Sequence, residues 1–280
     1  MPEGHTLHRL ADRLTDVFGG SHVRVGSPQG RFADSAAQLD GGLLLDADAW
    51  GKQLFVRFEG ERFVHVHLGL YGKLDVTGLG DGEQVPPPVG QVRMRLQSRS
   101  AYADLRGATT CALVTAAERD AVVARSGPDP LREGSDPDLA WARIGRSASP
   151  IGGLLMDQTV LAGVGNVYRA EVLFRHRIHP LRPGRTLRSG QWQAMWDDLV
   201  GLMAEGVRTG RIDTVRPEHT PEAMGRPPRV DDHGGEVYVY RRTGQPCHVC
   251  GRPVRTEVLG GRNVFWCSRC QPVFRSRAAR

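Results

Sequence analysis

The sequence predicts a multi-domain α+β protein. An antiparallel β-sandwich or barrel comes first, a helical region follows, and a small metal-stapled β-hairpin closes the chain. Three observations carry this. Short runs alternate apolar and polar residues up to about residue 115, helical spacing takes over from about residue 117, and two Cys-x-x-Cys pairs lie near the end.

Residues 5–18 read as a helix, because Leu7, Leu10, Leu14 and Val17 recur at helical spacing and Gly19-Gly20 ends the pattern. Strand-like text follows. Leu54, Val56 and Phe58 alternate with Phe55, Arg57 and Glu59. Val92, Met94 and Leu96 alternate with Arg93, Arg95 and Gln97. Residues 63–68 alternate likewise, with His65 and His67 on one face. The Gly- and Pro-rich run 78–90 separates such segments. After the Gly127-Pro128-Asp129-Pro130 break, residues 191–207 form the clearest helix, with Trp192, Met195, Trp196, Leu199 and Met203 on a core face. Residues 216–235 read as a loop. The resulting division is 1–116, 117–215, a linker 216–236, a small unit 237–272 and a basic tail 273–280.

Size and composition exclude several classes. A chain of 280 residues with 40% hydrophobic and 24% charged residues can bury a sizeable core, so it is neither disordered nor a disulfide mini-protein. No apolar run is long enough to span a membrane, and MPEGHTLHRL lacks the apolar stretch of a secretory signal, so a cytoplasmic protein without a membrane partner is expected. The net charge is +6 and unevenly spread: residues 241–280 hold nine arginines and one acid, Glu257. A basic end on a near-neutral body suggests a polyanionic partner. Lys52 and Lys73 are the only lysines in a chain that otherwise writes arginine. Lysine, unlike arginine, can be tuned to give up its proton.

Of five cysteines, Cys111 sits alone in an apolar run and reads as a buried small hydrophobe. Cys247, Cys250, Cys267 and Cys270 form two Cys-x-x-Cys pairs separated by sixteen residues. That pattern predicts one tetrahedral zinc ion. Four thiolates leave no open coordination position, so the metal is structural, and the unit is expected to unfold without it. Between the pairs, residues 258–266 read as two strands around Gly260-Gly261, with Arg262 at the tip.

The N-terminus carries chemistry of its own. Removal of Met1 ahead of a small Pro2 is expected and would leave a secondary amine. An α-amino group has a pKa of about 7.7–8.0, so part of it is neutral near pH 7 and can attack a sugar C1′ to form an iminium ion. Glu3 beside it could shuttle protons. A third block runs from Gly152 to Glu171 and reads as helix, a tight Gly163-Val164-Gly165 turn, then a helix opened by Asn166 as N-cap, a start suited to holding a phosphate.

Together these pieces resemble the bacterial formamidopyrimidine-DNA glycosylase and endonuclease VIII family, and within it the endonuclease VIII-like branch. The matching segments are Pro2-Glu3-Gly4, Gly51-Lys52, His67 to Gly72, Asp104 to Gly107, Gly127 to Leu131, Asp157 to Glu171 with Gly163, Asn166 and Tyr168, and Arg262 with Cys267 to Gln271. They run in family order over nearly the whole chain. The resemblance implies a β-sandwich, a helix–two-turn–helix domain and a zinc finger, with DNA in the cleft between the halves, acting as a monomer on damaged DNA. It implies Pro2 as nucleophile, Glu3 as acid/base carboxylate and Lys52 as proton-transfer assistant. Asn166 and Arg262 would grip phosphates, Arg106 falls in a DNA-contacting motif, and Leu70 and Tyr71 would fill the stack vacated by a flipped base.

The chain also departs from the family pattern. It lacks the Pro-Glu-Leu-Pro-Glu start of the 8-oxoguanine branch, which argues against an oxidised-purine specialist and for oxidised pyrimidines. It also lacks the Arg-Arg-Phe insert that this branch uses against the opposite strand, which leaves discrimination by the opposite base open. His5 stands where the endonuclease VIII branch commonly has Asp. Gly69 leaves the wedge one side chain short. Arg275, Arg277 and Arg280 extend past the usual stop and would add nonspecific DNA affinity. Two rivals remain. Small tautomerases also use an N-terminal proline, but they are much shorter and lack a zinc finger. A non-catalytic damage- or structure-specific DNA-binding protein on the same scaffold would keep the fold without turnover.

Overall fold

The computed structural model describes residues 2–230 and 235–275, so Arg277 and Arg280 of the basic tail lie outside the described residues. The chain divides into two compact units, 1–125 and 126–280. Each has its own hydrophobic core.

The first unit opens with helix α1 (Gly4–Phe18) and continues through strands β1 (Ser21–His22) and β2 (Arg24–Gly26), helix α2 (Ala33–Leu39), and strands β3 (Leu43–Trp50), β4 (Gln53–Phe58), β5 (Arg62–His67), β6 (Lys73–Gly78), β7 (Val92–Gln97), β8 (Ala101–Arg106) and β9 (Thr110–Thr115). The strands form two antiparallel sheets, ordered β1-β3-β4-β5-β9 and β2-β7-β8-β6. This is the expected sandwich. Its core takes Leu54, Val56 and Phe58 from β4, Val64 and Val66 from β5, and Met94 and Leu96 from β7, as the alternation requires.

The stripe of α1 is broader than four residues. Leu7 and Leu14 are buried with Ala11 and Phe18, while Leu10 and Val17 only flank the core. The true spacing of 7, 11, 14 and 18 is hidden by an alanine, which has little hydrophobic weight in a pattern. Helix α3 (Ala116–Ala124), with a full capping box between Thr115 and Glu118, packs on β5 and β9 and so belongs to the first unit. Cys111 is buried, and burial pushes its thiol up to about 12, as befits an inert core residue.

The second unit holds α4 (Pro137–Ile144), α5 (Ile151–Leu154), α6 (Asn166–Arg175), α7 (Ser189–Thr209) and α8 (Pro221–Met224), then the hairpin of β10 (Val254–Leu259) and β11 (Arg262–Cys267). In α7 the five expected residues are buried, and Trp192 Nε1 donates to Pro137 O. The segment 216–235, expected as loop, includes α8. Thr220 caps this helix and Pro221 starts it, a placement where proline loses no hydrogen bond.

Helix α6 is buried from Asn166 to Phe174 and serves as the axis of the unit. Its Glu171, fully buried, accepts from Tyr238 N at 2.6 Å, Val239 N and Tyr240 N at 2.9 Å, and Thr214 Oγ1 at 2.7 Å. One carboxylate thereby satisfies three main-chain donors of the segment leading into the finger. Gln271 makes a second tie: its Oε1 accepts from Cys267 N at 3.0 Å and its Nε2 donates to Ile178 O at 2.8 Å. Tyr238, Tyr240, Val254, Phe265 and Cys267 share one core with the helices. The finger is therefore built onto the helical region.

Candidate active site and nucleic-acid interface

In the first unit, α1 runs antiparallel to β3. Gly20 N donates to Leu44 O, and Thr15 Oγ1 accepts from Ala47 N at 2.9 Å while donating to Ala47 O. From Thr15 back to Gly4 the helix climbs about 16 Å. From Ala47 to its end at Trp50 the strand covers about 10 Å, and the Gly51-Lys52 turn lies just beyond. The start of α1 thus lies toward the Gly51-Lys52 end of β3. Pro2 is half-buried there, and Glu3 is 0% exposed at the helix N-cap. The turn joins β3 to β4 in two residues, with Gly51 at φ 56, a conformation that glycine adopts without strain.

The neighbouring strand brings His67 to the same end. It lies one residue beyond the Leu54–Val66 pair, and burial followed by the Lys52 charge holds its imidazole below the usual value. His67 Nδ1 accepts from Gly69 N at 3.1 Å, so that nitrogen is unprotonated. His5 is buried in the first turn of α1. Burial and then the nearby His8 lower it to about 4, which leaves a neutral imidazole beside the proposed nucleophile.

The loop after His67 turns back through Gly72 N to Leu68 O. Leu68 is buried, Leu70 is 45% exposed and Tyr71 is 90% exposed. The missing wedge side chain at Gly69 has a structural cause. Gly69 sits at φ 68, and a Cβ there would collide with Thr109 Oγ1. Gly69→Ala is expected to lower stability by about 1–3 kcal/mol, from left-handed strain and overpacking together. Thermal denaturation checks this, and an unchanged melting temperature would show that the loop re-forms freely.

Arg106 differs from the other named residues. Its guanidinium reaches Asp104 at 2.7 Å and Asp75 at 3.3 Å, and its Nε donates to Val89 O. Asp104 also holds the buried Arg95 in a two-pronged pair at 2.6 and 2.7 Å. Any phosphate contact by Arg106 has to be shared with these carboxylates.

In the second unit, Gln158 fixes the glycine turn. Its Nε2 donates to Met156 O and Val164 O, and its Oε1 accepts from Gly163 N. The N-cap of α6 is Gly165, so Asn166 is the first helical residue and does not cap, contrary to the sequence expectation. Its Oδ1 instead accepts from Arg169 Nη2. Arg169, 1% exposed, also donates to Gly152 O at 3.1 Å and to Asn263 O at 2.9 Å. It ties α5, the first turn of α6 and the finger hairpin together. Sequence reasoning gave Arg169 no role, although its i+3 offset from Asn166 was a usable signal. The hairpin turns through Gly260 and Gly261, at φ 57 and 73, and pairs Leu259 with Arg262. Through Arg169 and Asn263, Asn166 and the Arg262 strand stand at the same end of α6.

The four cysteine sulfurs lie within 4.8 Å of one another, with Cys250 and Cys267 3.4 Å apart and Cys247 and Cys270 3.9 Å apart. Tetrahedral zinc with Zn–S bonds of about 2.3 Å needs sulfurs about 3.8 Å apart, so the donor set fits one zinc ion. The ion is structural.

Comparison with known proteins defines the class. Residues 1–111 match the N-terminal domain of formamidopyrimidine-DNA glycosylase, 126–217 its H2TH domain, and 244–273 the zinc finger found in FPG and IleRS. The chain belongs to the formamidopyrimidine-DNA glycosylase/endonuclease 8 family, the DNA glycosylases and AP lyases of base-excision repair. Within it, the chain is 55% identical over 271 residues to Endonuclease 8 1 of Mycobacterium tuberculosis and of Mycobacterium bovis, covering 97% of this chain and 100% of each relative. It is 32% identical to the formamidopyrimidine-DNA glycosylase of Gluconobacter oxydans, with 97% and 100% covered. In fold it resembles Lactococcus lactis Fpg in complex with N7-benzyl-Fapy-dG-containing DNA, at a TM-score of 0.79 and 21% identity over 97% of this chain and all of that one. For Fpg of Thermus thermophilus the TM-score is 0.72 and the identity 28%, covering 96% and 98%.

Proposed function

We infer that this protein is a bifunctional DNA glycosylase and AP lyase that removes oxidised pyrimidines from damaged DNA. The observation that supports this reading is that the start of α1, with half-buried Pro2 and buried Glu3, lies toward the end of β3 where the Gly51-Lys52 turn and His67 stand. The secondary amine of Pro2 attacks C1′ of a flipped nucleotide and the base departs with the C1′–N bond electrons. Glu3 supplies and accepts protons at the sugar. Pro2 N then loses its proton and the C1′–O4′ bond breaks, its electrons going to O4′, which Glu3 protonates; this leaves an iminium ion between Pro2 N and C1′. Loss of a C2′ proton then expels the 3′-phosphate, and a second elimination expels the 5′-phosphate, leaving a one-nucleotide gap. Lys52 assists proton transfer, with the neutral His67 beside it. Exposed Leu70 and Tyr71 fill the vacated stack. Asn166 and Arg262 grip flanking phosphates. The preference for pyrimidines is supported by the higher identity to relatives named Endonuclease 8 than to those named formamidopyrimidine-DNA glycosylase.

Borohydride trapping on three labelled duplexes tests this. A covalent band with an oxidised pyrimidine is expected. A band only with an abasic site would leave a lyase without base removal, and no band at all would favour the non-catalytic DNA-binding protein. Arg262→Ala is expected to weaken binding evenly across sequences and to reduce the slope of log affinity against log salt by about one. An unaltered slope would mean that the hairpin tip does not touch phosphate.

A further inference from the structure

A second basic site stands at the opposite end of α6. A cavity of about 470 Å³ is lined there by Phe174, Arg175, Arg177, Arg216, Arg269 and Tyr238, with Val249 and the backs of Cys250 and Cys270 closing it. The ten residues of α6 span about 15 Å, with Asn166 at one end and this cavity at the other. Strand β11 runs alongside, from Asn263 at Arg169 to Cys267, whose partner Gln271 reaches Ile178. Arg262 therefore shares the Asn166 end, and the cavity lies away from both.

The charges of its wall are unevenly satisfied. Arg175 is engaged by Asp198 at 2.6 and 2.7 Å and by Thr214 O. Arg177, Arg216 and Arg269 have no carboxylate partner among the described residues. Glu218 stands near the rim, 3.9 Å from His219. Arg177 follows the C-cap of α6 at φ 57, a left-handed position that usually falls to glycine. Phe174 and Tyr238, stacked at 4.5 Å, supply an apolar wall.

We propose that this cavity binds a phosphate-bearing ligand of nucleotide size, separately from the DNA held by Asn166 and Arg262. Guanidinium forks match phosphate oxygens two at a time, and the volume suits a small ligand. Pyrophosphate and adenosine diphosphate are the probes, titrated calorimetrically into the full-length zinc-loaded protein. One-to-one saturable binding is expected. Arg177→Gly removes a guanidinium where glycine suits the backbone, so the fold is kept. It and Arg269→Gln are each expected to weaken binding about tenfold, the worth of one charge-assisted hydrogen bond, with zinc content unchanged. Tighter binding of adenosine diphosphate would assign the base to the Phe174–Tyr238 wall; equal binding would mean that phosphates alone are read. The proposal is overturned by absence of saturable binding, by equal affinity in both variants, or by displacement of the probe by an abasic-site duplex.

Discussion

Protein whose first residue is Pro2 is expected to cleave an abasic-site duplex and to give a borohydride-trapped adduct. The same chain with residues ahead of Pro2 is expected to lose both by a factor on the order of 10³ or more, as when a covalent nucleophile is removed. An amide nitrogen has no available lone pair, so acylating Pro2 removes the nucleophile without touching the fold. Glu3 is fully buried at the N-cap of α1, and Pro2 is half-buried, so the start of the helix has a fixed place. Pro2→Gly puts a primary amine in place of the secondary one and should keep part of the lyase rate. An extended N-terminus with full lyase activity would sink the assignment, and the catalyst would then have to be another amine, with Lys52 the first to examine.

What the sequence made legible follows from which residues act locally. The alternating strands, the α7 core face and the two cysteine pairs each announce themselves within a few residues, and each stands as expected. Pro2, Glu3 and Lys52 are legible as chemistry, but the approach of the α1 start to the Gly51-Lys52 end of β3 depends on a helix and a strand running antiparallel. No short pattern carries that. The residues that sequence reasoning left without a role act across long chain separations. Glu171 accepts from donors at residues 238–240, Arg169 reaches Asn263, and Gln271 reaches Ile178. The Asn166 cap fails for a related reason. A competing side chain, Arg169, takes its oxygen, and the preceding glycine serves as the cap instead. Gly69 shows the same limit: its glycine is required by Thr109, forty residues along the chain and adjacent only in the fold.

Cys267→Ser is expected to abolish zinc binding and, with it, DNA affinity. The cost differs from that of a free-standing finger. An isolated finger draws about 10–16 kcal/mol of apparent zinc-binding energy into folding. Here Cys267 is fully buried, its N–H is held by Gln271, and Phe265, Val254 and Tyr240 belong to the same core as the helices. Loss of the metal therefore loosens the seating of α6 as well as the hairpin, including the Arg169 contact that places Asn166 near the Arg262 strand. The first unit has a core of its own and does not draw on these residues. Thermal unfolding of the variant should accordingly split into two transitions, with only the lower one shifted from the wild-type profile. Chelation of zinc from the wild type should reproduce the split. One zinc per chain in the purified variant by elemental analysis would remove the metal assignment. A single transition shifted as a whole would instead mean that the two cores melt as one, and that zinc supports the first unit directly.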